Sequence, residues 1–328
     1  LVSAPRSIRS GCTGGPTDRT SDSATRHRYN RSEGHAVKSR GDHMIRSVNI
    51  SGYRGLANFG MRDIGRVNLL VGRNNSGKTS VLEALYLLST AGEASAFWQL
   101  CTRRGERFVD EPDPRYGANL EIDVSHLFTG HELAVGNQFR VTATNETPER
   151  SLTVAVAEPT DREPQERLPP PLDGAALPRL RLALHVKSSP PPTSRTIALT
   201  RQGGVTYESV ESPTRRAARA SQRAATLPVH FISTESLGGN DLITLWDRIQ
   251  LTPNEQLVLR ALKFVDPAIE QLRATAGTRY YGGKGGFIIK RDGVTTPFPL
   301  GSLGDGAWRM LSMAIVLTQC VDGMLFVD

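Results

Sequence analysis

Cysteine is scarce in this 328-residue chain: there are three, and Cys12, Cys101 and Cys320 stand too far apart for a C-x-x-C pair. Neither a zinc site nor a disulfide framework is indicated. Long apolar runs are lacking as well. The longest, Met310 to Val321, is too short to span a bilayer and contains Ser312, Thr318 and Gln319. No signal peptide is visible, so the chain reads as cytoplasmic, with no membrane partner. Aromatic residues make up only 6% and hydrophobic residues 38%, which predicts that part of the chain builds no core. Length is ample for one large domain or two smaller ones. The net charge of +7 invites a nucleic-acid reading. Its distribution weakens that inference, because residues 1–43 hold eight Lys or Arg against four Asp or Glu.

Those first 43 residues begin with Leu1 and are rich in Arg, Ser, Gly and Thr. Strand character starts at Met44, with Ile45, Val48 and Ile50. The leader is expected to be disordered and to be translated upstream of a natural start at Met44; a basic arm for nucleic acid is the alternative. From 117 to 157 the alternation of Leu120, Ile122 and Val124, of Phe139, Val141 and Ala143, and of Leu152, Val154 and Val156 predicts strands. A Pro-rich charged loop over 158–178 follows, then strands over 180–186 and 196–199. Arg215, Arg219 and Arg223 fall at four-residue spacing, which would give one basic face to DNA if helical, or a solvated loop otherwise. Residues 241–273 are expected to be helical, with Leu242, Leu245, Trp246 and Ile249 on one face and Leu257, Leu259, Leu262 and Ile269 further along. Strands with tight Gly turns are expected over 279–299, with Lys284 in a hairpin turn. His126 and His131 near Asp123 read as ordinary histidines rather than metal ligands.

The most specific pattern is Gly72-Arg73-Asn74-Asn75-Ser76-Gly77-Lys78-Thr79, a complete G-x-x-x-x-G-K-[ST] loop followed by Ser80. Its flanks match the motif. Val67, Leu69, Leu70 and Val71 predict a buried strand, and Val81, Leu82, Ala84, Leu85 and Leu88 predict an amphipathic helix. A strand, a Gly-rich turn and a helix N-terminus aim backbone N–H groups and the positive end of the helix dipole at one small volume. That volume suits ATP. Lys78 would lie along the β and γ phosphates as the catalytic lysine, and Thr79 would hold Mg²⁺.

Two later patterns agree with it. Ser302, Leu303, Gly304, Asp305 and Gly306 precede an apolar helix from Met310 to Cys320. Gly323 then leads into Met324-Leu325-Phe326-Val327-Asp328, which reads as a buried strand delivering a carboxylate to Mg²⁺ at its tip. Phosphate loop, small-residue signature and Walker B strand, in that order, resemble ABC-type ATPases. Asn74-Asn75-Ser76-Gly77, the opening Ile50-Ser51-Gly52-Tyr53-Arg54-Gly55-Leu56, Leu303–Gly306 and the Trp246-Asp247 helix are most similar to the OLD (overcoming lysogenization defect) type of AAA-family ATPase, related to RecF-like and SMC-like heads. The likeness covers about 44–90 and 228–328.

The resemblance implies an α/β P-loop NTPase of the ABC-ATPase-head type, with a parallel core sheet, an antiparallel β subdomain and a helical subdomain. The boundaries expected are a leader over 1–43, the first part of the ATPase domain over 44–90, a β-rich insert over 91–227, and the helical subdomain, signature and Walker B strand over 228–328. It implies a homodimer closed through the nucleotide, in which Leu303, Gly304, Asp305 and Gly306 of one head reach the γ phosphate held by the other. It implies work with DNA in repair or phage defence, with a nuclease domain or partner. The family signature has a serine where Gly304 stands, so backbone N–H groups or Ser302 are expected to make that contact. The family also places a glutamate after the Walker B aspartate, so the chain is expected to be a truncated product, incomplete at its C-terminus and poor at hydrolysis. Arg54 is read as structural rather than nucleotide-binding. A nucleotide-binding regulatory module without turnover and a P-loop small-molecule kinase are the competing functions.

Overall fold

A computed structural model describes residues 45–109, 120–144, 149–158, 182–189, 192–200, 202–207, 210, 228–233, 237–275 and 286–328. The leader, the Pro-rich loop, Arg215, Arg219, Arg223 and Lys284 lie outside them. The first half contains β1 (Ser47–Tyr53), β2 (Leu56–Met61), α1 (Lys78–Ser89), α2 (Ala94–Arg104), β3 (Arg107–Val109) and β4 (Leu120–Asp123). Next come β5 (Gln138–Thr144), β6 (Arg150–Ala157), β7 (Ala183–Ser189), β8 (Thr193–Ala198) and β9 (Gly204–Thr206). The remainder holds β10 (Val229–Ile232), α3 (Gly239–Trp246), α4 (Pro253–Leu262), β11 (Ile269–Ala274), β12 (Phe287–Arg291), β13 (Phe298–Pro299), α5 (Asp305–Gln319) and β14 (Met324–Val327).

Period-two alternation builds the largest sheet. Its order is β2-β1-β5-β6-β7-β8, and every neighbour is antiparallel. Val48, Ile50, Phe139, Val141, Leu152, Val154, Leu184 and Val186 fall on one face and are buried. Asn49, Ser51, Arg140 and Lys187 are on the exposed face. On the apolar face lies α1, whose Val81, Ala84, Leu85 and Leu88 join the same core. The loop after α1 approaches the sheet so closely that only glycine fits. Gly92 has φ +64°, and a Cβ there would stand 2.6 Å from Val186 Cγ1 and 2.8 Å from Leu152 Cδ1. Beside this sheet, β3, β4 and β9 form a three-stranded one.

A second core gathers α3, α4 and α5 on the β11-β12-β13 sheet, with Trp246, Phe287 and Trp308 stacked edge to face at centroid distances of 6.0 and 5.9 Å. The helix expected over 241–273 is two helices and a strand. Thr252 caps α4, accepting from the Asn254 N–H, and Pro253 sits in its first turn, so a new helix starts there rather than continuing α3. α4 ends at Leu262, Asp266-Pro267 keeps the chain from resuming a helix, and Ile269 enters a ladder with Arg291.

A further correction concerns Val67–Val71. The run joins no ladder among the described strands, and Val67, Leu69 and Val71 are 91%, 86% and 84% exposed. A buried strand needs partners for its N–H and C=O groups, and no described strand lies alongside to supply them. Parallel pairing among the described residues is confined to β10 and β14. No described helix is long and apolar enough to cross a membrane.

Gly92→Ala is expected to lower stability by about 2–4 kcal/mol, because it combines a left-handed backbone with overpacking against Leu152 and Val186. Urea denaturation followed by circular dichroism measures it.

Candidate phosphate-binding site

The loop from Gly72 to Gly77 turns into α1 through a left-handed Gly77, φ +87°, and α1 has no side-chain cap and no acidic residue in its first turn. Its first N–H groups are therefore left for an outside acceptor, and the dipole there favours an anion. The Lys78 ammonium folds back onto the loop and donates to the carbonyls of Gly72 at 2.9 Å and Arg73 at 2.7 Å. Both contacts are exposed, so the ammonium is free to turn toward a stronger acceptor such as phosphate. A Cβ on Gly77 would stand 3.0 Å from Leu56 Cδ2, so the turn of the β1–β2 hairpin braces the loop from below.

Asp328 is brought to this loop by the way α1 runs along β14. The two elements are matched at three places. Thr79 Oγ1 donates to Asp328 Oδ1 at 2.7 Å, the Tyr86 and Phe326 rings meet at 6.3 Å, and Ser89 Oγ lies 3.2 Å from Met324 Sδ. Positions rise along α1 as they fall along β14, so the two are antiparallel. The lengths agree: from Thr79 to Ser89 the helix rises about 15 Å, and from Asp328 to Met324 the strand spans about 13 Å. Tyr86 also packs edge to face on Phe231 of β10, at 5.6 Å. A hydroxyl and a carboxylate oxygen meeting beside a phosphate loop are hard oxygen donors of the kind Mg²⁺ accepts together with phosphate oxygens. Thr79 and Asp328 thus fit that ion.

Leu303, Gly304, Asp305 and Gly306 form the entry to α5, with Gly304 at φ +91° and Leu303 packed on the second core. What links α5 to the site is Arg309, whose guanidinium donates to the Asp328 carbonyl. Sequence reading had not singled it out. Its cue is its place one turn beyond Asp305, on the helix that precedes β14.

Beneath the loop lies a buried ionic network. Glu83, five residues beyond Lys78, is 1% exposed, and Arg54 is 6% exposed. Arg54 Nε lies 2.8 Å from Glu83, and its two terminal nitrogens donate to both oxygens of Glu106 at 2.6 and 3.0 Å. Arg104 Nε approaches the other Glu83 oxygen at 2.8 Å, and the Tyr53 hydroxyl donates to Glu83 at 3.3 Å. Two cations face two anions. Burial, then the Glu83 charge, push the Tyr53 phenol far above its ordinary range, so it stays a neutral donor. Burial alone would lower Arg54, but Tyr53, Glu106 and Glu83 outweigh it and keep the guanidinium charged. Arg54 adopts a left-handed backbone, φ +50°, and its N–H and C=O bond to Leu127 and Thr129. It acts as the rivet joining the hairpin, α1 and the start of β3. The sequence cue for the network was Glu83 itself, a carboxylate between Leu82 and Ala84 in an apolar helix.

His126 and His131 touch through their Nδ1 atoms at 3.2 Å, while Asp123 lies 3.3 Å from the other nitrogen of His126. The three do not converge on one point, and among the described residues no group of three or more His, Cys, Asp or Glu is arranged to hold a metal.

Residues 44–147 match the family model of an AAA ATPase domain. Over 99 residues the chain is 29% identical to an uncharacterised protein, MJECL10, of Methanocaldococcus jannaschii, covering 28% of this chain and 44% of that protein. The chain therefore spans less than half the length of this relative. Together with the mixed α/β sheets, the match supports an AAA-type P-loop ATPase and a P-loop NTPase-like fold.

Arg54→Met leaves buried Glu83 and half-buried Glu106 without their main cation and is expected to lower stability by about 3–5 kcal/mol. Arg54→Lys keeps the charge but loses the two-pronged contact, so it should fall between Met and wild type in the same urea titration.

Proposed function

We propose that this chain is a Mg²⁺-dependent ATPase head in which residues 72–80 grip the phosphates of ATP and Asp328 completes the metal site with Thr79. The observation that carries the reading is the 2.7 Å contact between Thr79 and Asp328, which are 249 positions apart. A structural turn capping a helix has no need of a distant carboxylate at its first threonine. In this reading the uncapped N–H groups of α1 hold the phosphates, and Lys78 leaves its loop carbonyls to neutralise the β and γ oxygens. Mg²⁺ would supply charge neutralisation at the phosphoryl group undergoing transfer. Arg309 holds Asp328 by its backbone, so the carboxylate meets the metal already oriented.

The finer reading is that of an OLD-type head, by the likeness of the loop and of Ile50–Leu56. Two copies pair through the nucleotide, with Leu303, Gly304, Asp305 and Gly306 of one copy against the γ phosphate on the other. The open, left-handed Gly304 favours this, since it leaves the N-terminus of α5 without a side-chain cap. Work with DNA in repair or phage defence is proposed from the same likeness, with the net charge of +7 in its favour.

Mg·ATP should raise the melting temperature of the chain, and Lys78→Ala should weaken ATP binding by about 10–150-fold, the worth of a charge-assisted hydrogen bond. Isothermal titration with ATP and with a non-hydrolysable analogue measures binding, and phosphate release in the same samples separates an ATPase from a binding module. Equal affinity in Lys78→Ala would remove the loop from the site.

A further inference from the structure

On the second core, α4 carries two apolar stripes where a surface helix ordinarily has one. Val258, Leu259 and Leu262 point inward and are buried in the second core. The other stripe, Leu257, Ala261 and Phe264, is spaced by four and three, so its members share one face. Leu257 is exposed, and Phe264 is 87% exposed. Phe264 continues the helical path, its N–H bonded to the Ala261 carbonyl at 3.1 Å. The three line a shallow depression with Arg260 and Lys263. Nothing within the described residues rewards leaving a phenylalanine in water there.

The shape and charge of the depression select its occupant. Ala261 is the small residue between two large ones, so it forms the floor of a notch into which one bulky apolar side chain would seat, as ridges seat in grooves between packed helices. Phe264 supplies an aromatic anchor at its edge. The charged side chains lining the notch are both cations. The carboxylates flanking α4 are engaged elsewhere: Glu255 accepts from the Leu251 N–H at 2.7 Å, and Asp266 pairs with Arg291 at 2.8 Å. A second copy of the chain would bring Arg260 and Lys263 against themselves. We propose that this face docks an acidic amphipathic helix of a partner protein, whose apolar knob enters the notch over Ala261 and whose carboxylates meet Arg260 and Lys263. The proposal stands apart from the nucleotide reading and survives or fails without it.

The test uses the full chain and two labelled peptides of about 18 residues, five helical turns, each with a leucine stripe. One is flanked by glutamates and the other by lysines, and binding is read by fluorescence anisotropy. The acidic peptide should bind at least about tenfold more tightly than the basic one, with an affinity that falls as salt rises. Phe264→Ser and Ala261→Glu should each weaken it by about tenfold or more. The double charge reversal R260E/K263E should invert the preference between peptides. Arg260, Lys263 and Phe264 are exposed and Ala261 is half-buried, and unchanged thermal melts would verify folding. Equal affinity for the two peptides, or no effect of these variants, overturns the proposal. So does self-association in sedimentation equilibrium that Ala261→Glu abolishes, which would assign the face to a second copy.

Discussion

One helix lying antiparallel to one strand governs the candidate site. Thr79 is fixed as the second residue of α1 by the glycine turn before it, and Asp328 follows β14 directly. Neither could reach the other unless helix and strand ran side by side over their full lengths. The aromatic contacts of Tyr86 with Phe231 and Phe326 set that alignment. They lie further along the pair than the hydroxyl–carboxylate contact, where packing can be tight while the loop stays open to solvent. The hydroxyl–carboxylate contact is the product of this packing. A single hydrogen bond in a solvated loop would be too weak, at about 1 kcal/mol, to organise two ends of a chain by itself.

The other face of the helix is held by charge. Four ionic side chains and a phenol lie under the first turns of α1, where an apolar core would pack as well and avoid the desolvation of Arg54 and Glu83. Such a network contributes little net stability, but it tolerates few alternative arrangements, since displacing Arg54 or Glu83 strands the other as a buried charge. For a helix whose first turn must present N–H groups in a fixed direction, that rigidity has value. The hairpin turn at Arg54 belongs to the same arrangement, because Leu56 beneath Gly77 moves with it.

Much of this was legible in the residues. The loop motif announced itself through spacing, and the alternations at Phe139–Ala143 and Leu152–Val156 became neighbouring strands β5 and β6. The apolar strand before it is what marks Asp328 as the proposed metal ligand. What could not be read arose from partners distant in sequence. Val67–Val71 has the composition of a buried strand, yet composition does not supply a neighbour to pair with, and Val67, Leu69 and Val71 are exposed. Ile269 kept helical spacing with Leu262 only by coincidence, while Pro253 and Pro267 were the better guides. Arg54 looked merely structural, and its two-carboxylate partnership depended on Glu83 and Glu106 arriving from different elements. Leu257 shares its expected helix with Leu259 and Leu262 but is exposed, because the inward stripe begins one residue later.

The central claim is that Thr79 and Asp328 are two ligands of one nucleotide-bound cation. Electron paramagnetic resonance of Mn²⁺, standing in for Mg²⁺, tests it most directly. The account predicts that the chain immobilises one Mn²⁺ only when ATP is present, and that Asp328→Asn abolishes this immobilisation while metal-free ATP binding persists. Immobilised Mn²⁺ of unchanged affinity in Asp328→Asn would contradict it.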